Sequence, residues 1–111
     1  MRGTVRIGDK DVEFVSNALT PVLFKRVFHK DFLMETQKKD TDLTIFQELA
    51  FIMAAQAKDL TSKELMNSVS EEGYYDWLTE FGAMDLMEKV NDIFVIYNSQ
   101  TQTMSKSKKN R

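Results

Sequence analysis

The stretch from Asp42 to Lys58, DLTIFQELAFIMAAQAK, constrains the fold more than any other part of the chain. Ile45, Phe46, Leu49, Ile52, Met53 and Gln56 recur with helical period, while Ala50, Ala54, Ala55 and Ala57 raise helix propensity. This helix, residues 42–58, is expected to be the central element. The chain has 111 residues, room for one domain with one core. A chain of that size buries roughly two-thirds of the surface its unfolded form exposes.

On either side of that helix the pattern changes. Residues 4–15, TVRIGDKDVEFV, alternate apolar and polar about a Gly-Asp-Lys-Asp turn and predict a β-hairpin. With Asp9 and Lys10 as the loop, Ile7 pairs with Val12 and Val5 with Phe14, all four on one face. A lone hairpin is marginal in water, so that face must lie on helices or on a neighbouring subunit. Thr20 and Pro21 suit a helix N-cap and first turn, and Leu23, Phe24, Val27, Phe28 and Phe32 follow in a broad apolar stripe, predicting a helix over 21–35. Thr61 and Glu64 stand in capping-box register for a helix over 62–69. Ser70 caps another over 71–81, stopped near Gly82. Met84, Met87, Val90, Phe94 and Tyr97 at spacings of three and four predict a last helix over 83–97, although IFVIY also reads as a strand. The expectation is an α+β fold, mostly helical: an N-terminal hairpin, four to five helices in one domain over 1–98, and a flexible basic tail over 99–111.

That tail, TQTMSKSKKNR from Thr101, holds Lys106, Lys108, Lys109 and Arg111 and no acid. It has too little apolar surface to offset the entropy of ordering it. Without those four cations the body has 11 basic against 17 acidic residues, about −6, and does not attract phosphate backbones. The tail read as a nucleic-acid arm therefore gives only weak, salt-sensitive, sequence-blind attraction. Absence of cysteine excludes a disulfide framework and a thiolate metal site. The start MRGTVRIGDKD has no apolar signal region and no apolar run of about 18 residues occurs. The chain is expected to be soluble and unprocessed, with no membrane partner.

The inventory is poor in chemistry. His29 is the single histidine, with no nucleophile marked beside it. Gly3, Gly8, Gly73 and Gly82 are scattered and build no phosphate loop. Asp40 and Asp42, and likewise Glu71 and Glu72, flank helix starts, where capping and dipole interactions account for them. No catalytic, cofactor-binding or metal residue is expected, no cofactor is implied, and the chain does not read as an enzyme.

The aromatic residues carry more information. GYYDWLTEF places Tyr74, Tyr75, Trp77, Leu78 and Phe81 within eight residues, and one helix is not expected to point Tyr75 and Trp77 to the same side as Tyr74, Leu78 and Phe81. Either the core wraps both faces, or Tyr75 and Trp77 are left for a partner. Phe24, Phe28 and Phe32 form a second candidate patch. Met34, Met53, Met66, Met84 and Met87 either fill an irregular core or add an adaptable surface.

The order VRIGDKDVEFV, ALTPVLFKRVF, IFQELAFIMAAQA, YYDWLTEFG and a Lys-rich end resembles, over essentially the whole chain, the tail assembly chaperones of long-tailed bacteriophages and prophages. The resemblance implies a non-enzymatic protein of the host cytoplasm, absent from the mature virion. Such proteins bind and solubilise the tape measure protein and aid polymerisation of the tail tube protein. The resemblance also implies a longer form made by −1 frameshifting, with Lys108, Lys109 and Asn110 encoded at the slippery site. Self-association is expected on separate grounds, the exposed hairpin edge and the surplus of aromatic side chains. Two readings stay beside the chaperone: a small helical adaptor retained in the virion, and a nucleic-acid-binding regulator acting through the tail.

Overall fold

A computed structural model describes the backbone over residues 1–109 and the side chains over residues 1–99. Strands β1 (Arg2–Ile7) and β2 (Lys10–Val15) pair antiparallel with Val5 opposite Val12 and Ile7 opposite Lys10. The loop is Gly8–Asp9, which corrects the expected Asp9–Lys10 loop and shifts the pairing by two residues. The cause is Gly8: its φ of 62° supplies the left-handed conformation that the first position of such a turn requires, which L residues rarely adopt. A shift of two keeps every side chain on its face. Val5, Ile7 and Phe14 are buried and Val12 is half-buried, as the alternation predicts.

The helix expected over 21–35 is two helices. α1 (Leu19–Phe28) starts early because the Asn17 side chain accepts the Leu19 N–H at 2.9 Å. It stops where His29 turns left-handed (φ 59°) and gives its N–H to Lys25 O. Asp31, extended, then accepts the Met34 N–H at 3.1 Å and caps α2 (Phe32–Thr36). α3 (Thr44–Gln56) begins two residues later than expected, since Asp42 Oδ1 takes the Thr44 N–H at 3.0 Å. Every residue from Leu49 to Gln56 is buried, so this helix is the central element.

The Thr61–Glu64 capping box forms and opens α4 (Ser62–Ser68). Ser70 caps α5 (Glu71–Leu78), which ends three residues before the expected position; the Thr79 hydroxyl bonds Asp76 O at 2.6 Å and the chain turns through Phe81. The expected helix over 83–97 is likewise shorter at its start. Turns and a 3₁₀ segment (Met87–Lys89) precede α6 (Val90–Lys109), so IFVIY is helical. From residue 100 onward the side chains of the tail expected over 99–111, with the frameshift-encoded Lys108, Lys109 and Asn110, lie outside the described part.

The helices cover one face of the hairpin. α3 crosses β2, α1 packs on α3, and α6 runs against α3 and both strands. α6 comes so close that a Cβ on Gly3 would stand 2.7 Å from Ile96 Cδ1. At the α1 entrance a polar network runs from the core to the surface: Thr20 Oγ1 donates to Gln56 Oε1 (2.6 Å), and Gln56 Nε2 donates to Oδ1 of the exposed Asn17 (3.0 Å). Thr20 and Gln56 are both buried, and their mutual bonds supply the partners that burial demands.

Candidate protein-binding surface

The five aromatic residues singled out as partner contacts end in three environments. Phe24, Phe28 and Phe32 are 0%, 9% and 4% exposed and belong to the core. Their stripe faces α3, and Phe32, although on a separate helix, stacks edge-on to Phe24 at 5.3 Å and meets Phe46, Phe94 and Tyr97. The proposed phenylalanine patch is therefore interior, because the break at His29 folds α2 back so that Phe32 closes the same cluster.

Tyr75 and Trp77 do not form one surface either. Residues two apart on a helix point about 200° from one another. Tyr74 goes inward against Phe28 and Phe51, and Tyr75 stands 61% exposed, its ring 5.5 Å from that of Tyr74. Trp77 is half-buried and packs on Phe51 at 5.8 Å and on Phe81 at 4.9 Å.

Trp77 is the ridge between two open grooves. The larger, about 650 Å³, runs between β2 (Lys10 to Glu13) and α3 (Ala54, Ala57), with Trp77 and Phe81 as its apolar wall. The smaller, about 180 Å³, lies between α3 and the α4–α5 corner, beside Phe51, Val69 and Gly73. Lys10 spans the mouth of the larger one: its Nζ is 3.6 Å from Glu80 Oε1 and 5.5 Å above the Phe81 ring. Such an apolar wall with a charged rim suits the apolar stripe of a helix or strand.

Phe81 was read from sequence as part of the Tyr74–Leu78 core face. The early end of α5 carries it round to Trp77 instead, and the i, i+4 spacing of the two was the available signal. The methionines divide: Met53 fills the core, Met66 and Met87 are half-buried, and Met34 and Met84 are exposed. Leu33 and Leu43 are exposed as well, which their places in the pattern did not signal.

The larger groove is lined by charges of both signs, Lys10 and Lys58 with Asp11, Glu13 and Glu80. Burial, then the nearby Glu48 carboxylate, pushes the Tyr74 phenol far above its ordinary value. Glu48 Oε1 is 2.9 Å from Lys30 Nζ, an ion pair without hydrogen-bond geometry. Among the described residues no group of three or more His, Cys, Asp or Glu could hold a metal, and no helix is long and apolar enough to cross a membrane. His29 serves as the left-handed cap of α1.

No family model matches the chain, and no solved structure matches it. The chain is similar to Protein Dr1 homolog of Dictyostelium discoideum, 26% identical over 107 residues. That similarity covers 93% of this chain and 60% of the relative, so the chain spans less than two thirds of the protein it matches.

Proposed function

We propose that the chain is a phage tail assembly chaperone, a non-enzymatic protein that binds the tape measure protein in the host cytoplasm and keeps it soluble until the tail tube protein displaces it. The observation that carries this reading is the Trp77 ridge: an apolar wall left open between two grooves, on a body with a net charge of about −6. A ruler destined for the inside of a tube exposes apolar helical stripes before the tube closes round it, and these aggregate unless covered. Grooves of this kind take such stripes one short segment at a time, each contact weak and many acting in series. Its acidic exterior keeps the complex soluble.

Co-expression and pull-down of the tape measure protein tests the assignment. Trp77→Ala, folded by circular dichroism, is expected to lose most of the captured protein, and Tyr75→Ala a smaller share. Undiminished capture by both variants rejects the surface. Mass spectrometry of purified virions separates this function from that of an adaptor, since a chaperone is absent from the finished particle.

A further inference from the structure

The hairpin has two open edges, and their charges are complementary to each other. Ser16 N donates to Met1 O at 2.7 Å and the Met1 amino group to Ser16 O at 2.6 Å, so Met1 and Ser16 are a hydrogen-bonded pair. Hydrogen-bonded and non-bonded pairs alternate along an antiparallel ladder. In the observed register Gly3–Phe14, Val5–Val12 and Ile7–Lys10 are then the bonded pairs. Thr4 and Arg6 of β1, and Asp11 and Glu13 of β2, direct their main-chain N–H and C=O away from the hairpin. Among the described residues no bond from outside the ladder reaches these groups.

Each edge also borders a groove on the helix side of the sheet. Beside β1 lies one of about 340 Å³, lined by Gly3 to Arg6 and by Val95 and Ile96 of α6, with Val95 60% exposed. Beside β2 lies the larger groove with Trp77 and Phe81.

We propose that a second copy of this chain docks edge to edge, the β1 of one copy pairing antiparallel with the β2 of the next. The occupant follows from charge. On the solvent face β1 presents Arg2 and Arg6, and β2 presents Asp11 and Glu13, all exposed. Two β1 edges brought together oppose arginines, and two β2 edges oppose carboxylates, which is unfavourable across a strand pair. Pairing β1 with β2 sets Arg6 against Asp11 or Glu13 of the neighbour, and repeats between copies the contacts already made within one hairpin: Arg6–Asp11 at 3.2 Å and Arg2–Glu13 at 3.1 Å. Such an interface is heterologous, so an assembly of any length keeps one free β1 edge at one end and one free β2 edge at the other, and growth continues past the dimer. This inference does not depend on the chaperone reading.

Sedimentation velocity over a concentration series tests it with two charge variants. Wild type is expected to form species larger than dimer. Arg6→Asp alone and Asp11→Arg alone each place like charges on both edges and should associate about ten-fold more weakly. An equimolar mixture of the two should regain wild-type association, because acid then meets base at every junction. Thr4→Pro removes an outward N–H that the hairpin does not use, and should also block assembly. Should that variant unfold, the charge mixture decides alone. A wild type that stays monomeric at every concentration overturns the proposal, as does a closed dimer indifferent to the charge changes or a mixture that behaves as its separate components.

Discussion

Two aromatic groups of similar composition meet opposite fates here. Phe24, Phe28 and Phe32, at spacings of four, are interior. Tyr74, Tyr75 and Trp77, almost consecutive on α5, are split between core, solvent and a groove wall. The first group has one direction to point, and α3 lies in that direction. The second is spread round a short helix that touches the body on one side only, so packing one aromatic turns another outward. Density of aromatic residues is thus a poor sign of exposure, and their angular spread about the helix is a better one.

The sharpest way to break that contrast is truncation. Phe24→Ala is expected to lower stability by ~3–5 kcal/mol, as a large cavity among close-packed rings does. Tyr75→Ala should change it by no more than about 0.5 kcal/mol. Urea unfolding of the pair reads both, and similar losses would erase the distinction between the groups. Next in size, Thr20→Ala deprives the buried Gln56 carbonyl oxygen of the 2.6 Å bond it accepts, and should cost ~1–3 kcal/mol in the same measurement.

At a helix end the effect is smaller: Thr61→Ala removes half of the capping box and should cost about 1 kcal/mol. The pH dependence sharpens the difference between inward and outward groups. Tyr74 is held protonated by burial, so its contribution is complete below pH of about 10, the ordinary phenol value, and is lost as pH rises above it. Tyr74→Phe should flatten the alkaline fall of the urea midpoint. Asp42 and Glu64 behave in the opposite sense. The N–H and hydroxyl of Thr44, and the N–H of Thr61, hold their carboxyls below the usual range. Their contribution is present above pH of about 4 and fades as pH falls through the lower folded values. Glu64→Gln should make the acid side of the profile shallower, and an unchanged profile would remove the cap from the account.

Much of the fold was legible in the residues. The hairpin, the central helix, the Thr61–Glu64 box and the Ser70 cap each rest on a local pattern of a few side chains, and each formed. What escaped was decided by single backbone positions. Gly8 rather than Asp9 opens the turn; His29 breaks a stripe whose period continues across the break; and α5 ends at Leu78 although its apolar spacing runs on to Phe81. Periodicity records which side chains share a face and is blind to one residue entering the left-handed region. The candidate surface was legible by half: Trp77 was named from the sequence, while its partner Phe81 and the groove beside β2 were not.

By itself the sequence determined the fold class, the central place of α3, the facing of the hairpin and the acidic exterior, because these depend on local period and on charge, which the chain carries wherever it goes. Only the tertiary structure decided which aromatic side chains remain at the surface and that both hairpin edges border grooves. Those outcomes depend on which element lies beside which, and the neighbours come from residues far apart in the chain.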